Sequence, residues 1–256
     1  MKRSAGWCGQ RRQFLKRAAV ATTVTATAPY VITSAALGAE GTPPASDRIT
    51  VGFIGVGGHG IGRNLQTFLH QADAQPVALC DVDPRRIDTA LKVIRQRRGE
   101  DFNCQQTKDW REVVARDDID AVMISAPDHW HVLISLAAIR SGKDVICEKP
   151  TLTIAEGRLL ADTVHRYGAV FQTSTEDRSI DIYHRMAELV RNGRIGKLQK
   201  IFVQLPAGPG NAGDARPKPV PDGLDWDMWL GPAPWKPYRE GLHAYHWRWN
   251  RDYSGG

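Results

Sequence analysis

The stretch Ile49-Thr50-Val51-Gly52-Phe53-Ile54-Gly55-Val56-Gly57-Gly58-His59-Gly60 decides the fold. Its first half is a short apolar run suited to a strand. Its second half is a G-x-G-x-x-G loop, and a helical pattern follows from Ile61 to His70. A strand that turns through spaced glycines into a helix is the setting in which such a loop holds a dinucleotide. The first glycine makes the tight turn, the second lets main chain approach a pyrophosphate, and the third lets helix and strand pack closely. Phosphate charge then meets the helix N-terminus. Gly55, Gly57 and Gly60 are thus candidate cofactor-binding residues.

Downstream, β-rich runs alternate with helical patterns. Strands are expected at Ile49 to Ile54, Val77 to Asp81, Ala121 to Ser125, Val145 to Cys147 and Val170 to Gln172. Between them, helices are expected at Ile61 to His70, Pro84 to Arg98, His131 to Ser141 and Ile154 to Tyr167. This alternation predicts an α/β fold with a doubly wound parallel sheet, a Rossmann domain over residues 48–174. Beyond it, residues 175–256 predict an incomplete α+β domain: an amphipathic helix from about Ile180 to Asn192, a strand from Leu198 to Leu205, then a Pro-, Gly- and Trp-rich tail. Trp226, Trp229, Trp235, Trp247 and Trp249 fall in that tail, either as sugar-stacking rings or, the reading we favour, as an aromatic core or contact. No internal repeat is present.

The chain of 256 residues carries 34 basic and 28 acidic side chains, a net charge of +6. The excess sits at one end. Residues 1–39 hold Lys2, Arg3, Arg11, Arg12, Lys16 and Arg17 and no acid; taking those six away leaves 28 bases against 28 acids. A neutral body supplies no footprint for a phosphate backbone, so nucleic acid is excluded as a partner. Arg11-Arg12-Gln13-Phe14-Leu15-Lys16, the weakly apolar run Ala18 to Ala36 and the small residues at Gly38-Ala39 form the pattern of a twin-arginine export signal. Residues 1–39 are expected to direct export, placing the mature chain in the periplasm or outside the cell. Thr22, Thr23, Thr25 and Thr27 make the run too polar for a stable membrane anchor. Residues 40–47, with Gly, Pro and Ser, read as a linker. Removal of Cys8 leaves Cys80, Cys104 and Cys147, an odd set that implies no disulfide framework.

Asp81 ends the second expected strand, 21 positions after Gly60, where an acid meets the adenosine ribose 2′-hydroxyl. Its charge opposes a 2′-phosphate and favours NAD over NADP, although Arg85 and Arg86 close by soften that preference. Asp83 suits helix capping before Pro84 better than Asp81 does. Ser125-Ala126-Pro127-Asp128-His129-Trp130-His131 lies at the carboxyl edge of the sheet, where open α/β folds bind ligands. Ser125, Pro127 and His129 are assigned to cofactor contact. Asp128 and the two histidines also invite a metal reading, but without a further ligand cluster no metal site is assigned. Cys147-Glu148-Lys149-Pro150 ends another strand at the same edge. Lys149 is the candidate catalytic residue, because a lysine partly withdrawn from water suits acid–base work on a hydroxyl.

Taken together, the Gly55 to Gly60 loop, Asp81, the Ala126 to His131 motif and Glu148-Lys149-Pro150 resemble the Gfo/Idh/MocA oxidoreductase family over about residues 48–256. Leu224 to Pro234 and Trp247-Arg248-Trp249 resemble its secreted branch. The resemblance implies NAD-dependent hydride transfer with a sugar, inositol or related polyol. It also implies catalysis assisted by Lys149, Glu148 near the nicotinamide ribose, a cis Lys149-Pro150 bond, and a homo-oligomer. Resembling proteins continue past Gly256 into a helix with a further Asp and His and into a large open sheet, so the C-terminal domain is expected to be truncated. His243 and His246 are not assigned in their place. Two readings stay open: a working exported dehydrogenase, and a nucleotide-binding remnant or truncated product without turnover.

Overall fold

The structure, a computed structural model, describes residues 34–38, 41, 43–205 and 216–255. The chain divides into two compact units, Met1–Ser46 and Asp47–Gly256. The first contributes a helical turn at Ser34–Leu37; the expected export signal lies otherwise outside the described residues. No helix among the described residues is long and apolar enough to cross a membrane.

The second unit is built on six strands: β1 (Ile49–Ile54), β2 (Ala74–Cys80), β3 (Gln105–Thr107), β4 (Ala121–Ile124), β5 (Asp144–Glu148) and β6 (Phe171–Ser174). Their order is β3-β2-β1-β4-β5-β6, and every neighbouring pair is parallel. Chain direction across the sheet therefore reverses between β1 and β4, and ligands of doubly wound sheets sit at that switch point. The helices are α1 (Gln66–Leu69), α2 (Pro84–Arg98), α3 (Trp110–Val114), α4 (Asp128–Arg140), α5 (Ile154–Tyr167), α6 (Asp181–Arg191) and α7 (Trp226–Leu230). A π-helical segment, Gly60–Leu65, leads directly into α1.

Parallel strands covered on both faces need apolar residues on both, and alternation in β1 delivers them. Val51 and Phe53 join Leu79, Met123 and the α2 residues Ile87, Leu91 and Ile94 on one face. Ile54 joins Ile124, Cys147, Val113 and the α4 residues Val132, Ile134 and Ile139 on the other. Local chemistry starts the helices where they are needed. Asp83 caps α2 by accepting from the Arg85 amide, with Pro84 in the first turn; Thr153 and Glu156 form a reciprocal capping box on α5.

The tail packs as a third apolar cluster of Leu224, Trp226, Trp229, Leu230, Tyr238, Leu242, Trp247 and Tyr253. Trp226 and Trp229 stack at 4.7 Å. Three of the tail's tryptophans are thus core, while Trp235 and Trp249 stay exposed. Two expectations need correction. Leu198 to Leu205 is not a strand: it lies irregular and exposed, because no strand among the described residues takes up its backbone groups. And β3, absent from the sequence reading, is a three-residue polar edge strand paired only to β2.

Candidate active site

The glycine loop is fixed by close backbone approach. Gly55 has φ +87, and a Cβ there meets the Ser125 and Ala126 backbone at 2.6 Å; a Cβ on Gly60 meets the Gly55 carbonyl at 2.3 Å. Neither position accepts a side chain. At Gly57 the neighbour is instead the Arg86 guanidinium, 3.1 Å from such a Cβ, so the loop's open side faces a cation. Both features fit the diphosphate of a dinucleotide: main chain bare of side chains, with positive charge beside it.

Asp81 is buried at the end of β2. Its Oδ2 accepts from the Val56 amide at 3.0 Å and its Oδ1 from the Asp83 amide at 3.0 Å, while Arg86 lies 3.9 Å away. Burial pushes this carboxyl up from its ordinary value, and Arg86 and the two amides pull it back. Asp81 lines a cleft with Gly55, Gly57, Val82, Arg86, Ser125 and Pro127, and with Met228 and Trp229 of the tail. Met228 and Trp229 were not assigned from sequence.

A second cavity opens at the ends of β4 and β5, lined by His59, Ser125, Asp128, His131, Glu148, Lys149, Pro150 and Arg248 among others. Lys149 precedes a cis peptide bond to Pro150. It is exposed rather than withdrawn from water, because it stands one residue past the end of β5 on the lip of the cavity. Glu148 is buried; its Oε1 takes the Asn64 amide at 2.9 Å and lies 2.8 Å from His59 Nε2. Asn64 also donates to the Ser125 hydroxyl at 2.8 Å. His59 and Asn64 contact Glu148 at the site and were not assigned from sequence, because they lie 89 and 84 positions away from it. His59, Glu148 and Glu176 place one ligand atom each within 4.8 Å of one another, but the His59–Glu148 hydrogen bond and the Arg63–Glu176 ion pair already account for the grouping.

His129, assigned to the cofactor, points elsewhere. Its Nε2 contacts the Trp229 carbonyl at 2.9 Å, its ring packs on Trp229 and Tyr253, and burial lowers its basicity. The first turn of α4 directs this side chain into the tail's core, away from both cavities. Asp128 and His131 do line the second cavity, but each is engaged with a different partner: Asp128 accepts from the Ser254 hydroxyl at 2.6 Å, and His131 faces two backbone carbonyls. Burial raises the Asp128 carboxyl, partly offset by the Ser254 bond.

A parallel sheet in the order 3-2-1-4-5-6, with a glycine loop and an acid at its switch point, defines a Rossmann dinucleotide-binding protein. The chain belongs to the Gfo/Idh/MocA oxidoreductase family: residues 49–175 match its NAD-binding Rossmann fold and residues 209–256 its C-terminal alpha/beta domain. A glycosyl hydrolase family 109 protein of Shewanella baltica is 32% identical over 176 residues, which cover 61% of this chain and 37% of that protein. The scyllo-inositol dehydrogenase of Lactobacillus casei, solved with NAD(H) and scyllo-inositol, is 28% identical with a TM-score of 0.52, over 58% of this chain and 42% of that one. A 3-ketoreductase of Actinomadura kijaniata, solved with TDP-benzene and NADP, shares the fold at 23% identity and TM-score 0.51, over 59% and 45%. The chain spans little more than a third of the curated relatives' length.

Proposed function

We propose that the protein uses NAD to move a hydride to or from a hydroxyl-bearing carbon of a sugar, inositol or related polyol, with Lys149 as the acid–base group. The observation that carries this reading is that Ser125 lines both cavities, so the glycine loop with Asp81 and the lip with Glu148 and Lys149 border on the same strand end. When bound, the dinucleotide supplies the hydride acceptor or donor at its nicotinamide ring.

The protein's residues do the rest. The loop from Gly55 to Gly60 receives the diphosphate, and Asp81 holds the adenosine ribose. The negative charge of Asp81 disfavours a 2′-phosphate, which supports NAD over NADP, while Arg86 tempers that bias. Glu148, steadied by His59 and Asn64, holds the nicotinamide ribose. Lys149 takes the proton from the substrate hydroxyl on oxidation and returns it on reduction. The N-terminal Arg11-Arg12 segment supports export by the twin-arginine route, with the enzyme acting outside the cytoplasm.

Calorimetric titration of the full chain with NAD and NADP tests the first half, with Gly57→Trp as the loop control. Saturable binding stronger for NAD and absent in the control is expected; a folded protein that binds neither sinks the reading. Turnover with inositols and sugars, lost in Lys149→Ala while NAD binding holds, tests the second half. The description of the Shewanella relatives as glycosyl hydrolases favours a second reading, glycoside cleavage. It is distinguished by sugar release without accumulation of reduced cofactor.

A further inference from the structure

The ladder between β4 and β5 ends at the pair Ile124 and Cys147. Ala126 and Pro150 lie beyond it, so their carbonyls need donors from elsewhere. His131 stands between them. Its ring, 2% exposed, has Nε2 2.7 Å from the Ala126 oxygen and Nδ1 2.8 Å from the Pro150 oxygen. Carbonyl oxygens only accept, so both contacts are hydrogen bonds when each ring nitrogen carries a hydrogen.

On the other flank of Lys149 runs a second bridge. Asn64, also buried, donates from one amide nitrogen to Ser125 and to Glu148. Ser125 adjoins Ala126, and Glu148 and Pro150 bracket Lys149. Two side chains from separate helical segments thus tie the same two strand ends together on both sides of the lysine.

We propose that His131 is a positioning residue: with Asn64 opposite, it holds the loop Glu148-Lys149-Pro150 in register with Ser125-Ala126. It thereby sets where Glu148 and Lys149 stand relative to the dinucleotide. The inference deepens the reading given under Proposed function and rests on it. His131 acts through backbone, and its loss leaves the glycine loop and Asp81 intact.

The test uses the full chain labelled with 15N-histidine, together with His131→Phe and His131→Gln. Nuclear magnetic resonance of the unmodified protein is expected to show two slowly exchanging ring N–H signals from one histidine, both absent in His131→Phe; a single ring N–H overturns the bridge. Affinities for NAD and AMP are then compared. AMP needs the loop and Asp81 but not Glu148, so His131→Phe is expected to weaken NAD by about tenfold, the upper scale of a lost hydrogen bond. AMP should hold within about twofold, a difference too small to count as a lost hydrogen bond. His131→Gln, which keeps two amide hydrogens, should recover part of the loss. Unchanged NAD affinity, or equal weakening of NAD and AMP, overturns the positioning role. If the unmodified protein binds neither nucleotide, the dinucleotide reading fails separately, and the pair of ring N–H signals still decides the bridge.

Discussion

Two stretches follow the Rossmann sheet, and they use their apolar residues in opposite ways. In α6 the residues Ile182, Met186, Leu189 and Val190 recur at helical spacing, yet all are exposed, as are Ile201, Phe202, Val203 and Leu205 after it. The tail around α7 has no such periodicity, yet it buries Trp226, Trp229, Leu230, Trp247 and Tyr253 together. Periodicity shows which face of a helix is apolar; it does not show what that face meets. Burial is decided by shape and by polar anchors, and the tail has both. Asp225 N donates to the Val82 carbonyl, Lys108 Nζ to the Gly223 carbonyl, and the Trp229 carbonyl takes the Trp130 indole at 3.0 Å.

This contrast can be broken from the packed side first. Trp229→Ala removes a ring that touches Trp226, His129 and Tyr253. It should cost about 3–5 kcal/mol in denaturant unfolding, as truncation of a large buried aromatic does. Gly231→Ala is expected to cost about 1–3 kcal/mol, because a Cβ there lies 1.9 Å from the Trp130 ring and the backbone stands at φ +50. A cost no larger than that of an exposed substitution would show that the tail is not seated on α4.

A pH series sharpens the comparison further. Burial, helped by Arg86, lowers His243 from 6.5 to about 4. The folded state therefore binds fewer protons than the unfolded chain between those values, and stability falls as pH drops from about 6.5 to about 4. His129, lowered by burial, acts in the same direction, while Asp81 and Asp128, raised by burial, act oppositely where carboxylates titrate. Melting temperature measured across this range should fall less steeply in His243→Gln than in the unmodified protein; parallel curves would remove His243 as a contributor. The smallest effect belongs to the exposed stretch: Phe202→Ser, at a side chain 81% exposed, should change stability by no more than about 0.5 kcal/mol. A larger loss by the same denaturant assay would mean that this stretch packs after all.

Much of the sheet is legible in the sequence, because buried parallel strands declare themselves as apolar runs and glycine loops as spaced punctuation. β3 is not, since Gln105-Gln106-Thr107 carries no apolar signal and pairs on one edge only. Leu198 to Leu205 shows the converse, a strand-like composition without a partner strand among the described residues. At the site, Asp81, Glu148 and Lys149 are readable because each ends or follows a strand at one edge of the sheet. His59 and Asn64 are hidden by contacts more than 80 residues long, and His129 misleads because a helix directs successive side chains about 100° apart.

That last property has a mechanical result. From α4 and its surroundings the tail is held at three places: Val82 and Lys108 grip residues 223–225, His129 and Trp130 meet on the Trp229 oxygen, and Asp128 takes Ser254. Hydrogen bonds are directional as well as short, so these anchors constrain the tail's orientation and not only its distance. They hold in place the segment whose Met228 and Trp229 help to wall the cleft beside Asp81.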